Sequence, residues 1–595
     1  MFRNTAWGKR LIRLSQAFGK DGFEVVRIIR YNGKLGITAQ IPAVCNYDTG
    51  EPKKAYYVEG SPYEMGYLMG NMAEKEISRM MDYTDKVAFS FIGSKVLEKM
   101  KLIQGALIKI AYDLSKKTWN QLPAAITDEI RGIYDGCKSR NPGTRVNMER
   151  LIVLNTGIDI ICSMVYTGKF FKRIFDKIDP EDFDIPMMCN AFTVSGKSAG
   201  GGCYFGRDFT FPSAGVFQDT AAMIIYCPDD PETGKNAGTD TGTDIKTGTN
   251  IKTDADGDNI RKLTEKALSG RRSIPFINIA APGMVGSIAA MNLNGTAFGV
   301  NMSPAANCDP GKIGINSLLM TRLCVQYGRN AEDAAQLMEE LPRGVSWLYI
   351  IADGSGRSCI AETGASWPEP DFVQYADEEY RNLLPDIEFI KSHASAPYKN
   401  GVMFRWNDYI YPLEYLEWNY QLWDHYNQKN RTQKKIRQDA FEQAGYISLP
   451  GEQNCPSTFY FAPQRENSDE ILVASNHCII PEMRYFAMHR WTQRVIGKKV
   501  NDIQWRYDEL NRQIHDTLAE KGSIDLDDAK RLISFLAPYG KYKNYHADNP
   551  RSGDGKEIRI EGCVSVFDLK NRAVESHYGY YCDKWVRITL PGYFK

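Results

Sequence analysis

Residues 189–211 read CNAFTVSGKSAGGGCYFGRDFTF, and the fold turns on that stretch. Apolar and polar residues alternate on both sides of a glycine-rich centre, which predicts two antiparallel strands joined by a turn. A second hairpin is predicted at GSIAAMNLNGTAFGVNM (286–302), where Asn294-Gly295 supplies the positive φ angles of a tight turn. A third lies at WLYIIADGSGRSCIAET (347–363), and CVSVFDLKNRAVESHYGYY (563–581) reads as a closing pair of strands. An extensive antiparallel sheet system therefore follows Cys189.

Before Cys189 the period changes. From Ser61 to about Ile161, apolar residues recur at three- and four-residue spacings in MGYLMGNMAEKEISRMM, KVLEKMKLIQGALIKIAYDL, LPAAITDEIRGIYDGCKSR and MERLIVLNTGIDIICSMV, so helices are predicted there. Residues 1–50 read as a short helix and then strand-like alternation around Phe23 to Gln40. Lys169 to Pro186 is charged and aromatic, as a surface connection would be. Helices return at NAEDAAQLMEELP, QWRYDELNRQIHDTLAEKG and DLDDAKRLISFLAP. Gly234 to Asn259 is a Thr/Gly/Asp tract with too few apolar residues to pack, and disorder is expected. The whole is an α+β protein: a helical segment over 1–188 and a sheet-bearing region over 189–595, interrupted by the 234–259 insertion.

Composition narrows the function. Lys+Arg and Asp+Glu are both 73, so there is no basic field to attract nucleic acid or an anionic membrane. The most apolar run, Ser273 to Met291, is broken by Pro275 and Pro282 and reads as strands around a turn, not a membrane span. The N-terminus lacks a continuous apolar stretch and a cleavage site of small residues, so a cytoplasmic protein is expected. The 13 cysteines are odd in number and dispersed, without a C-x-x-C pair, which argues against a disulfide framework or a zinc ribbon. No metal or cofactor is expected, and the expected partner is a small amide or acyl substrate. Homo-oligomerisation stays open.

Two motif matches fail on context. Gly196-Lys197-Ser198 resembles the end of a phosphate-binding loop, but that loop needs glycine where this chain has Ala191. Gly196-Lys197-Ser198-Ala199-Gly200 satisfies the G-x-S-x-G nucleophile elbow, which must open a helix, whereas three glycines and a strand follow Ser198. Cys189 is the better nucleophile. A thiol attacks well near neutral pH but needs a base. The seven histidines are scattered, and only His477 has a suggestive setting. If cleavage of the Met188–Cys189 bond makes Cys189 a terminus, its own α-amino group, with an ordinary pKa of about 7.7–8.0, can manage the proton.

The Cys-x-Ala-Phe-x-Val-x-Gly hairpin ending in Gly206-Arg207-Asp208 resembles the opening of the choloylglycine hydrolase and acyl-coenzyme A:6-aminopenicillanate acyltransferase group. Further segments resemble the group in order: GSPYEMGYLMG (60–70), LIVLNTGIDI (151–160), AAMNLNGTAFGVNMSP (289–304), WLYIIADGSGRSCIAE (347–362), ASNHCIIPEMR (474–484) and WRYDELN (505–511). The resemblance implies an N-terminal nucleophile hydrolase with an αββα sandwich, in which the stretch before Cys189 is a pro-region. It also implies roles. Cys189 would be the nucleophile and Arg207 the arginine beside the thiol that favours thiolate. Asn301 would be the oxyanion-hole asparagine, Asn476 a second polar residue of the site, and Arg506 the late arginine. One position departs from the pattern: the aspartate that orients the α-amino group in the bile-salt branch is Thr210 here. Asp208, two residues earlier on the same strand face, is the expected substitute.

Blander readings stand beside these. A single cysteine of 13 is ordinarily an inert core thiol; Arg207 could be a paired strand-end arginine, Asn301 a strand terminator and Asp208 a turn cap, and Arg506 could be solvated on a charged helix. The rival functions are a phospholipase B-like ester or lipid amidase on the same fold, a Ser198 hydrolase, and a catalytically silent binding member.

Overall fold

The computed structural model describes residues 5–46, 49–81, 101–167, 189–211, 216–229, 255–303, 314–364, 398–412, 464–466, 468–484, 500–535, 561–579 and 584–594. Strands arise from alternating segments such as EVVRIIRY and from continuous apolar runs such as WLYIIA and ILVA. They are β1 (Glu24–Tyr31), β2 (Lys34–Cys45), β3 (Pro52–Gly60), β4 (Asn190–Ser195), β5 (Cys203–Phe211), β6 (Ala222–Pro228), β7 (Phe276–Ala280), β8 (Ala289–Asn292), β9 (Ala297–Met302), β10 (Trp347–Ala352), β11 (Ser358–Thr363), β12 (Tyr398–Lys399), β13 (Val402–Trp406), β14 (Ile471–Ala474), β15 (Glu561–Asp568), β16 (Ala573–Gly579) and β17 (Val586–Thr589). They form two sheets, one in the order β1-β2-β3-β6-β7-β8-β9-β10-β11-β13-β12 and the other β14-β4-β5-β15-β16-β17. Pairing is antiparallel throughout, except that β3 runs parallel to β6.

Side-chain alternation shows how the sheets meet. On β5, Arg207 and Phe205 point at β9, so closely that a Cβ on Gly299 would lie 2.7 Å from Arg207 Cδ. Nearby, Thr193 Oγ1 on β4 sits 2.9 Å from Ser358 Oγ on β11, and the Cys203 thiol donates to the Asp353 carbonyl at 3.3 Å. Alternate residues face away. On β10, Tyr349 turns from the smaller sheet towards Asp159 and Ser317. The helices that cover the outer faces are α1 (Ala6–Lys20), α2 (Pro62–Met72), α3 (Lys101–Trp119), α4 (Ala124–Arg140), α5 (Met148–Thr167), α6 (Ala255–Leu268), α7 (Ser317–Tyr327), α8 (Ala331–Glu340), α9 (Val500–Lys521) and α10 (Leu526–Ile533). Helices α7 and α8 pack on β8–β11, whereas α10 packs on β4, β5 and β15. The result is α+β, with two sheets face to face between helices and one apolar core running through both.

Helices α2 and α4 approach closely because each carries two glycines four apart. A Cβ on Gly66 would lie 2.0 Å from the Glu129 carbonyl oxygen and one on Gly70 2.1 Å from that of Ile133. Conversely, Gly132 and Gly136 lie against the Tyr63 and Tyr67 carbonyls. A capping box at Ser61 and Glu64 starts α2.

All three predicted hairpins after Cys189 are present, as is the closing strand pair, to which β17 is added. Other details differ. The segment before Cys189 is not wholly helical: β1, β2 and β3 join the larger sheet, and β3 pairs with β6 from beyond Cys189. The alternation around Phe23 to Gln40 is β1 and most of β2; β3 was not expected. The last five residues of the 234–259 tract, Ala255 to Asn259, already belong to α6, because Ile260 and Thr264 give that helix a buried face; 234–254 and the 169–186 connection lie outside the described residues. In the 286–302 hairpin only Gly295 has a positive φ, at 86°, so Asn294 does not share that role. Among the described residues no helix is long and apolar enough to cross a membrane.

Candidate active site

Cys189 immediately precedes β4, and its neighbour Asn190 pairs with Asp208 across the hairpin. Strand alternation puts the Cys189 side chain on the face of Ala191, the face that Arg207 shares. That face is the seam between the sheets. Cys189 is 2% exposed, and Arg207, Asn301, Asn476 and Arg506 are fully buried around it.

The main chain of Cys189 is held from both sides. Its N–H donates to Asn476 Oδ1 at 3.0 Å, and its carbonyl accepts from an Arg506 terminal nitrogen at 2.9 Å. The same arginine donates to Asn190 Oδ1 at 2.8 Å and to Asn476 Oδ1 at 3.1 Å. A planar guanidinium with donors in a fixed fork can serve three acceptors at once. Charge assistance makes each of these bonds stronger than a neutral one.

Two asparagines lock β9 to the loop after β14. Asn301 donates its amide to the Ser475 carbonyl at 2.6 Å, and Asn476 donates to the Met302 carbonyl at 2.8 Å. The exchange is reciprocal, and it fixes the amide orientation of both residues, since a flipped amide would set oxygen against oxygen. Asn301 keeps one further amide hydrogen for another acceptor, while its own Oδ1 is buried without a hydrogen bond among the described residues. Arg207 spans the seam: it donates to the Asn190 carbonyl at 3.2 Å, and also to the carbonyls of Asp208 and Val300. Its guanidinium lies 5.2 Å from the centre of the Phe209 ring.

The structure thus gathers Cys189, Arg207, Asn301, Asn476 and Arg506 in one hydrogen-bonded group. Arg506 is not solvated, although its helix is charged. Asp208 stands differently. It is fully buried but lies on the opposite face of β5 from Arg207, where its Oδ2 accepts from Asn190 Nδ2 at 3.5 Å. The Cys189 N–H donates to Asn476 Oδ1, an amide oxygen, where Asp208 was the expected partner. The side chain of Thr210 lies outside the described residues. His477 packs edge-on against Tyr507, with ring centres 5.5 Å apart.

Sequence reasoning missed Asn190, whose carbonyl, Oδ1 and Nδ2 each serve a different charged neighbour. Its position next to Cys189 was the available signal. Ser198 lies at the far end of β4, roughly 20 Å from Cys189 at the usual rise of a strand. It sits in a short 3-10 turn whose Lys197 and Ser198 N–H groups are both capped by Glu470, so the nucleophile-elbow geometry is absent there. Three other thiols behave as core: burial pushes the pKa values of Cys203, Cys324 and Cys563 up to about 12. No group of three or more metal-ligating side chains occurs among the described residues.

Residues 259–377 match the family model described as acyl-coenzyme A:6-aminopenicillanic acid acyl-transferase, a stretch that carries Asn301 but not Cys189. A protein of Archaeoglobus fulgidus, described as uncharacterized, is 27% identical over 546 residues, which cover 91% of this chain and 66% of the relative. The chain therefore spans about two thirds of the length of that curated relative. Among solved structures, two mutant forms of the conjugated bile acid hydrolase from Clostridium perfringens match with TM-scores of 0.31 and 0.29. Their identities are 9% and 10%, and each match covers 68% of this chain and 93% of the other. Penicillin V acylase from Agrobacterium tumefaciens matches at 0.28 with 10% identity, covering 66% of this chain and 83% of that one. The matched segment and the sequence motifs thus point to one resemblance, to the acyl-coenzyme A:6-aminopenicillanic acid acyl-transferase family model.

Proposed function

We propose that the protein is a cysteine N-terminal-nucleophile hydrolase or acyltransferase acting on linear amides, with Cys189 as nucleophile after the Met188–Cys189 bond is cut. The observation that supports it best is the grip on the Cys189 main chain, with its nitrogen 3.0 Å from Asn476 Oδ1 and its carbonyl 2.9 Å from Arg506. A core cysteine needs no such fixation of its nitrogen by a buried side chain. A nitrogen that must become an amine and hold one orientation does.

In this reading the α-amino group takes the thiol proton as Cys189 Sγ attacks the amide carbonyl carbon. The remaining amide hydrogen of Asn301 would donate to the developing oxyanion. When the C–N bond breaks, the departing amine receives the proton back from the α-ammonium, leaving a thioester on Cys189. Water or another acceptor then takes the acyl group. Arg207 and Arg506 hold the Cys189–Asn190 backbone in line. Parallel assays of Cys189→Ala and Ser198→Ala on a panel of linear amides test the assignment. Loss of acylation only in Cys189→Ala supports it, and loss only in Ser198→Ala defeats it.

A further inference from the structure

A second buried network lies beside the site, made of Glu362, Arg405, Glu466 and Tyr507. Glu362 on β11 and Arg405 on β13 share the face of Asn301 at the seam between the sheets, as the register from β9 through β10 requires. All of their side chains are nearly inaccessible. Arg405 donates to Glu466 at 3.0 Å, and its Nε lies 3.6 Å from Glu362. Burial alone would lower the arginine's pKa, but Glu466, Tyr507 and Glu362 raise it above its ordinary value. Burying two carboxylates with one guanidinium is an expensive way to gain stability, so the arrangement calls for another account.

That account comes from what the carboxylates hold. Glu362 accepts the N–H groups of Ile479 at 2.8 Å and Ile480 at 3.0 Å, one on each oxygen. Glu466 accepts the N–H of Val473 at 2.7 Å and the Tyr507 hydroxyl at 2.9 Å. Arg405 adds a bond to the Val473 carbonyl at 2.6 Å. The loop bearing Asn476 is therefore gripped three residues before and three residues after that asparagine. Tyr507, joined to the same network, is the immediate neighbour of Arg506.

We propose that Glu362, Glu466 and Arg405 are positioning residues that set Asn476 and Arg506 on the Cys189 main chain. None of them reaches Cys189; they act through the two residues that do. The proposal rests on the reading of Cys189 as nucleophile.

Its test uses the full chain and two readouts, hydrogen exchange by mass spectrometry and the rate of Cys189 alkylation by iodoacetamide across a pH series. Glu362→Gln leaves one oxygen for two N–H donors and sets an NH2 group against the other. Exchange should rise in residues 471–484 and also in 189–195, and Cys189 alkylation should slow at least ten-fold with a displaced pH profile. Glu362→Asp, which keeps both oxygens, should recover part of that rate. Tyr507→Phe removes only one hydroxyl and is the variant of choice if Glu362→Gln fails to fold; it should slow alkylation several-fold. Glu129→Gln, which breaks the buried pair with Arg322 elsewhere in the core, should leave 189–195 and the alkylation rate unchanged. A rise in exchange confined to 471–484, with 189–195 and alkylation as in wild type, would overturn the proposal. An equal response to Glu129→Gln would do the same. Full turnover by Cys189→Ala would instead defeat the nucleophile reading, and the exchange pattern would still decide the clamp.

Discussion

Replacing Arg506 by leucine probes how much of the local structure depends on one guanidinium. Arg506 is fully buried and donates to the Cys189 carbonyl, Asn190 Oδ1 and Asn476 Oδ1. In Arg506→Leu, Asn476 Oδ1 keeps the Cys189 N–H, but the Cys189 carbonyl and Asn190 Oδ1 each lose this donor. An unsatisfied buried acceptor costs about 1–3 kcal/mol, so the two together cost about 2–6 kcal/mol. Removing a buried cation returns some of its desolvation, yet that gain is full only when the partners become apolar as well. Arg506→Lys keeps the charge, but a single ammonium cannot span three acceptors, and it should recover less than half of the loss. The assay is urea unfolding followed by far-ultraviolet circular dichroism in a Cys189→Ala background, which keeps the chain uncut and the main-chain contacts unaltered. A midpoint for Arg506→Leu equivalent to less than about 1 kcal/mol of destabilisation would refute the reasoning, because the three hydrogen bonds would then be replaceable by water or by repacking.

Gly70→Ala places a methyl group 2.1 Å from the Ile133 carbonyl oxygen, an atom of a helix backbone that cannot rotate away, so α2 and α4 must separate; a loss of about 3 kcal/mol or more is expected in urea unfolding, and a wild-type midpoint would contradict it. Asp159 accepts the Ser317 N–H and hydroxyl at 2.6 and 2.7 Å, and burial pushes its pKa up to about 7. An unfolded aspartate titrates near about 3.9, so between these values the fold retains a proton that the unfolded chain has lost. This stabilisation is complete below pH 4 and disappears as pH rises through about 7, on the order of 4 kcal/mol in all. Asp159→Asn should flatten the pH dependence of stability in that window, and an unaltered slope would rule the group out.

The parts of the fold legible in the sequence are those with a local signal. The β4–β5 hairpin shows itself by period-two alternation around Gly200, Gly201 and Gly202, and α8 and α10 by their period and their Asn330 and Asp525 caps. What stayed hidden depends on distant pairing. Strands β1 and β2 show in the alternation around Phe23 to Gln40, but nothing local says that β3 will run beside β6. At the site, resemblance suggested which residues gather, but not how. Asn476 takes the Cys189 N–H because β14 pairs with β4, a contact between positions 287 residues apart. The same limit explains Asp208: which face of β5 meets the larger sheet is decided by packing around Gly299. Glu362 and Glu466 gave no signal at all, since a carboxylate in a strand or loop reads as solvated until its burial is seen.

The measurement closest to the centre of this account is N-terminal sequencing with intact-mass analysis of the purified, catalytically competent protein. Cleavage of the Met188–Cys189 bond should give two fragments, Met1–Met188 and Cys189–Lys595, the second beginning Cys-Asn-Ala-Phe. An active preparation containing only the full-length chain would contradict it, because residue 189 would then have no free amine to manage the proton.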